Sequence, residues 1–420
     1  MDYELICIGI GPSNLALAVA MEDSAPKLAG QTLMLEREPD VAWQRGMLHP
    51  GSRSQVSYLK DLVTLRNPRS RFTFVNYLHE NGKLEHFVNS GTFTPYRFEI
   101  SDYHAWVAHS LEHIELRFNA NVRAIDAIGA PQSIEGWMVW TDSGETITAR
   151  KLVFGCGRDA RIPEALSHLD SPRIIHSSTY RSRMDELLKT IPDPRQVAVI
   201  GSAQSAAELF LDAGRRLPNA KRTMIMRTIG PKHYESSKFT NELFYTEFVD
   251  DYYAFDPLTR KSVLEQMGSS NYGGLAPATL EQLYEERYLA RARGLDTVRF
   301  RTLTTVMAAT LESDGIALAM SSPTTGESTE RFDVVLLGTG YDPQRPLLLR
   351  RLLTQIGQEN AAVHRNYTVN LGPGGHAASL VLQGINEATH GIADSLLSVL
   401  ASRAGTISDA LIKTATMVSA

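Results

Sequence analysis

Apolar residues along this chain come in two rhythms. "YELICIGI" near the start is apolar at consecutive positions, the pattern of a strand covered on both faces in a parallel sheet. It runs through Gly9 and Gly11 into "PSNLALAVAMED", which is long enough for a helix, and "QTLMLERE" then reads as a second strand. "ARKLVFGCG" repeats the passage from strand to glycine turn. "VAVIGSAQSAAELF" starts a second strand–turn–helix, followed by the strand "RTMIMR", and "RFDVVLLGTGYDP" is one more strand entering a glycine turn. Short strands alternating with helical stretches predict an α/β fold with parallel sheets. The tail "EATHGIADSLLSVLASRAGTI" has helical spacing after a His-Gly break.

Two strand–turn–helix starts within 420 residues fit two or three domains. The expected architecture is two Rossmann-like dinucleotide-binding domains with the second inserted in the first. Residues 1–165 and 326–420 would form the first domain and 166–325 the second. Residues 232–275, rich in aromatics and asparagine, fit neither unit; they are expected to bridge the domains and supply part of a smaller substrate-binding region.

Composition narrows the function. Hydrophobic residues make up 43% and charged residues 21%, enough apolar material for a large core. A net charge of -5 leaves no basic footprint for nucleic acid or an anionic membrane. The apolar N-terminus lacks a basic leader, carries Asp2 and Glu4, and is broken by Gly9, Gly11 and Pro12, so a signal peptide is not expected. No apolar run is long enough to span a bilayer, and a cytoplasmic protein is expected. The two cysteines, Cys7 and Cys156, lie in apolar runs and form no Cys-x-x-Cys pair. Both are expected to be reduced and buried, with no metal or dithiol chemistry.

The turns carry the first chemical signal. Gly9-x-Gly11-x-x-Asn14 follows a strand and opens a helix whose N-terminus would face a pyrophosphate; Pro12 and Ser13 lie within it. Glu36 ends the next strand, where a carboxylate would bind ribose hydroxyls. Asn14 stands where a third Gly or Ala is usual, and an ordinary tight turn is the alternative reading. The second turn, Gly201-x-Ala203-x-x-Ala206, is looser. Arg227, ending "RTMIMR", suits the 2′-phosphate of NADP, although a surface arginine would look the same. FAD is therefore expected in the first cradle and NADPH in the second. Dithiol reductases share this plan but need a cysteine pair beside the flavin, so its absence from the sequence points to monooxygenation.

At this point "GIGPSN", "SQVSYLKDLVTLRNPRSRFTFVNYLHENGKL", "FTPYRFEISDYHAWVA", "GTGYDP" and "NEATHGIADSLLS", in order along nearly the whole chain, resemble the microbial amine N-hydroxylating flavoprotein monooxygenases. Ornithine N5-hydroxylases are most similar and lysine N6-hydroxylases next. The resemblance implies that Lys60 binds a substrate carboxylate and that Asn241, Asn271 and Ser398 line the amino-acid pocket. A lysine with neutral amides is what an α-carboxylate and an α-ammonium require. Lys60 as a surface cation and Asn271 as a turn residue are the structural alternatives. The resemblance also implies that Glu36 to Gln44, including Trp43, and Gln55 line the flavin. Ser395, Leu396 and Leu397 would reach its ring through backbone groups, and Ser202, Gln204, Ser205 and Arg227 would contact NADPH. His390 is read as a turn or core histidine rather than a catalytic one.

The implied activity is hydroxylation of a side-chain amine by O2, through a flavin C4a-hydroperoxide, with NADP⁺ retained. L-ornithine is the expected substrate; L-lysine, another amine or amino acid, or a largely uncoupled NADPH oxidase are alternatives. Hydroxylamines of this kind feed siderophore and other secondary-metabolite biosynthesis, and the family often forms tetramers. Gln44 and Ser54 replace a family histidine and methionine near the flavin, where they are expected to lower coupling. Lys238 replaces a family proline. An inward-pointing cation there would favour an acidic group over an amine.

Overall fold

The computed structural model describes residues 1–374 and 376–418. Two sheets with parallel cores organise it, the first mixed and the second parallel throughout. In the first, β3 (Glu115–Arg117), β2 (Thr32–Leu35), β1 (Tyr3–Ile8) and β6 (Thr146–Phe154) lie side by side. β6 is long enough to take two partners on its other edge. Its first half pairs antiparallel with β5 (Ser133–Thr141), itself paired with β4 (Val122–Ala130), and its second half pairs parallel with β15 (Ser379–Leu382). β1, β2 and β15 are buried at nearly every position, as their unbroken apolar runs require.

The second sheet runs β10 (Val298–Arg301), β9 (Lys221–Ile225), β8 (Gln196–Ile200), β14 (Val334–Leu337), β7 (Ile174–His176), all parallel. β14 is the strand of "RFDVVLLGTGYDP", expected above to help close the first domain; it lies instead at the centre of the second sheet. Its four residues are fully buried and pair in parallel with β7 on one edge and β8 on the other. The return to the first sheet comes later, at β15. A three-stranded antiparallel sheet, β11 (Thr305–Leu311), β12 (Ile316–Ser322) and β13 (Gly326–Phe332), packs Ile316, Leu318 and Phe332 against Ile225, Val335 and Leu337.

Residues 232–275 are mainly helical: Lys238–Glu242, Thr246–Ala254 and Pro257–Asn271. Phe244, Val249 and Met267 pack on Ile392, Ala393 and Val399 of the C-terminal segment. The expected tail helix starts late, at Leu400. Gly391, at φ +79, breaks the chain into a short helix, Glu387–His390, and two 3-10 turns over 392–399.

The sheets are joined by a close contact. Gly46 lies so near the Ser177 and Ser178 backbone that any Cβ would collide with it. Arg97, at the start of the Arg97–His109 helix, makes a bidentate pair with Glu208 of the Gln204–Arg216 helix, both bonds 2.7 Å, and also donates to the Met47 carbonyl. Among the described residues no helix is long and apolar enough to cross a membrane.

Candidate active site at two dinucleotide cradles

Both cradles sit at the C-terminal ends of their strands, and two backbone hydrogen bonds recur in each. Gly9 N–H donates to the Leu35 carbonyl at 2.7 Å, as Gly201 N–H does to Ile225 at 3.0 Å. Gly155 N–H donates to Ile8 at 3.1 Å, as Gly338 N–H does to Ile200 at 2.9 Å. Gly9 and Gly201 take positive φ, +89 and +141, which a side chain would strain. The Pro12–Ser24 and Gln204–Arg216 helices both begin without a side-chain cap, whereas the helices at Thr73, Ser237 and Asp256 are capped. Uncapped N–H groups at a glycine turn suit a phosphate, and a Cβ at Gly11 would meet nothing within 4 Å.

The unusual Asn14 has a packing cause. It is fully buried, and its amide donates to the carbonyls of Ile8 at 2.9 Å and Gly9 at 2.7 Å and accepts from Gln383. A Cβ at Gly155 would sit 2.5 Å from its Oδ1, so Gly155 vacates the room that Asn14 fills. Asn14 therefore braces the turn from inside. Ala206 faces Gly338 in the same way in the second cradle. Pro12 is the first residue of its helix, where a missing N–H costs nothing. Ser13 accepts from the buried Arg403 at 2.7 Å.

The acidic and basic markers differ in register. Glu36 accepts from Ile10 N–H at 2.8 Å, which puts its carboxylate against the first turn. Glu36 N–H and Met226 N–H bond equivalent carbonyls, of Arg117 and Arg301. Arg227 thus lies one residue beyond the Glu36 position, exposed and without an ion pair among the described residues. Ser202 and Ser205 are half-buried at the second turn. Gln204 is committed to protein partners: it donates to Glu208 and Thr279 and accepts from Ala276 N–H at 2.9 Å, which ties the second cradle to the segment after Asn271.

Two expected substrate residues meet across the chain. Lys60 Nζ donates to Ser398 Oγ at 3.0 Å, and partial burial holds the Lys60 ammonium below the usual lysine range. Asn271, half-buried, ends its helix beside Tyr272. The Tyr272 hydroxyl is 2.6 Å from Ser395 Oγ and bonds Glu387, and Arg158 pairs with Glu387 at 3.1 Å. Leu396 and Leu397 lie between Ser395 and Ser398. Asn241 stays on the Lys238–Glu242 helix, which buries no residue, and its side chain bonds none of the others among the described residues. Lys238 on that helix is exposed, so it does not point into a pocket.

Trp43 is half-buried, with its ring edge-on to His104 at 6.0 Å and its backbone N–H donating to Ser101 Oγ. Gln44 is exposed at φ +52, and Gln55 is also exposed. His390 is fully buried and stacked on Tyr367 at 4.2 Å; burial drops its pKa to about 4, the behaviour of a core histidine. Cys7 is buried, but Cys156 is exposed, contrary to expectation. β6 ends at Phe154, and the Gly155–Gly157 turn carries Cys156 off the sheet. Gln383, Glu387, Arg158 and Arg403 were not anticipated from sequence. Only the Gly-Cys-Gly and Gly-Thr-Gly strand ends hinted at this side of the cradles.

Residues 1–343 match the family model of L-lysine 6-monooxygenase/L-ornithine 5-monooxygenase. The chain belongs to this family. It is 35% identical to the L-ornithine N(5)-monooxygenase of Aspergillus oryzae, over 96% of this chain and 87% of that protein. The ornithine hydroxylase PvdA of Pseudomonas aeruginosa shares its fold with a TM-score of 0.90, at 35% identity over 98% of this chain and 99% of that one. The Kutzneria sp. 744 ornithine N-hydroxylase, in complex with reduced FAD, NADP⁺ and L-ornithine, also gives 0.90, at 31% identity over 98% and 99%. The monooxygenase family thus accounts for both parallel sheets and their paired cradles in a single chain.

Proposed function

We propose that this monooxygenase uses FAD and NADPH to hydroxylate the side-chain nitrogen of L-ornithine. FAD, reduced by NADPH, supplies the oxygen activation. The chain's own residues bind, aim and exclude water. The first turn, with Glu36 against it, suits the flavin dinucleotide. The second, with unpaired Arg227 just past β9, suits a dinucleotide carrying a 2′-phosphate.

The observation that carries the amino-acid reading is the Lys60–Ser398 pair. Among the described residues its half-buried ammonium is held only by a neutral hydroxyl, so an incoming carboxylate would restore the lost solvation. Asn271 lies one residue from Tyr272, which is bonded to Ser395, so the neutral amide and the cation flank one segment. The exposure of Lys238 to solvent supports an amine over an acidic side-chain group.

The reacting amine must be neutral. With a pKa of roughly 10.4, about 0.04% is neutral at pH 7, and presenting that form costs about 5 kcal/mol in water. Desolvation at the apolar end of the pocket would lower that cost. The test is a panel of ornithine, lysine, putrescine and acidic amino acids, read as hydroxylamine and peroxide formed per NADPH. Ornithine should give the highest hydroxylamine yield. Lys60→Ala should raise KM for ornithine about 100-fold, the worth of a charged hydrogen bond, and leave flavin content intact. Unchanged KM would remove the carboxylate role from Lys60.

A further inference from the structure

The buried guanidinium of Arg403 is used by none of the steps above, yet it touches the first cradle. Arg403 is on the Leu400–Val418 helix, 2% exposed. Its Nη2 donates to Ser13 Oγ at 2.7 Å. Its Nη1 donates to Asp394 Oδ1 at 3.0 Å and to the Asp394 carbonyl. Asp394 is fully buried, and its other oxygen accepts from Asn386 N–H at 2.7 Å. The carboxylate balances the charge, so the guanidinium brings no net charge to the turn.

The chemistry of the donor sets a direction. Arginine only donates, so Ser13 Oγ must spend a lone pair on it, and the hydroxyl's own hydrogen has to point elsewhere. No other partner holds that hydroxyl among the described residues. It sits in the first turn of the uncapped Pro12–Ser24 helix, beside the open space at Gly11. There its hydrogen adds a donor to the backbone N–H groups that face an anion. The same guanidinium grips Asp394, the residue before the Ser395–Ser398 segment, whose last residue holds Lys60.

We propose that Arg403 is a positioning residue with two outputs: it turns the Ser13 hydroxyl into a donor toward the phosphate of the dinucleotide in the first cradle, and it fixes Ser395–Ser398 relative to that cradle. The second output rests on the function proposed above; the first does not. An ordinary buried ion pair would stabilise or destabilise the fold alone. A pair with these outputs also sets FAD affinity and the ornithine KM.

The experiment uses Ser13→Ala, Arg403→Lys, their combination, and the paired replacement Arg403→Met with Asp394→Leu. Removing both charges together avoids a stranded buried ion, so the paired variant should fold with a Tm near that of the wild type. FAD dissociation constants are measured by flavin fluorescence on apoprotein reloaded with FAD. Ser13→Ala and Arg403→Lys should each weaken FAD about ten-fold, and their combination should cost no more than either alone, because both break one bond. The paired replacement should recover Tm but not FAD affinity, and its ornithine KM should rise with kcat less affected. Additive losses for Ser13 and Arg403, or wild-type FAD affinity in the paired variant, would overturn the proposal. If the wild type forms no hydroxylamine from ornithine, the function reading fails, while the FAD constants still decide the Ser13 role.

Discussion

The two cradles are near copies in backbone and unlike in what faces the ligand. Each has a positive-φ glycine after its strand, a helix without a side-chain cap, and a second glycine on the neighbouring strand that clears room for the helix. In the first, that room is filled by the Asn14 amide, hydrogen-bonded on three sides; in the second, by the methyl of Ala206. The first turn is closed by a carboxylate, while the second has a free arginine one register step further out. Shared backbone geometry explains why both accept a dinucleotide. The side chains explain why they would hold different ones, a carboxylate facing the first turn and an arginine standing beyond the second.

The largest break in this comparison should come at the helix-facing glycines. A Cβ at Gly338 would lie 2.6 Å from the Ala206 backbone nitrogen, which cannot move without shifting the helix. Gly338→Ala should cost about 3 kcal/mol, seen as a large fall in Tm. Gly155→Ala meets a side chain instead, and combining it with Asn14→Ala should recover part of its loss. Equal losses for the two glycines, with no recovery in the pair, would contradict the packing account.

Next comes the bridge that holds the cradles together. The Arg97 and Glu208 side chains are 7% and 11% exposed. Glu208→Ala strands a guanidinium and also frees Gln204, so it should cost about 3 kcal/mol and raise KM for NADPH. A smaller effect follows from Arg227→Ala: KM for NADPH should rise about ten-fold or more, with KM for NADH and flavin content unchanged. Equal changes for both nucleotides would remove the 2′-phosphate role.

The smallest effect is on pH dependence. Burial holds His390 at about 4 and His104 at about 3, below the ordinary histidine value of 6.5. The unfolded chain then binds more protons between those values, so stability falls as pH drops from about 6.5 toward 4 and is unaffected above that window. His390→Gln should flatten the fall of Tm with pH by about one proton's share, with no change at pH 8.

The strands around both cradles were legible because buried parallel strands leave unbroken apolar runs. The apolar run of β14 fits either sheet, and only its pairing with β7 and β8 places it in the second. The tail helix was drawn too long because the spacing of "GIADSLLSVL" is helical, while Gly391 and the buried Asp394 turn it aside. Lys60 was legible from its motif, but its meeting with Ser398, 338 residues away, is a product of tertiary folding alone. The motif places Asn14 at the turn, but only the fold shows its side chain packed beside Gly155.

The central proposal is that electrons from NADPH at the second cradle would reduce O2 at the first, one oxygen atom passing to an amine held beside it and the other leaving as water. Its most direct test is the ratio of hydroxylamine formed to NADPH consumed with saturating L-ornithine. The account predicts a ratio close to one, with little peroxide. Peroxide matching NADPH consumption, whether or not ornithine is present, would contradict it.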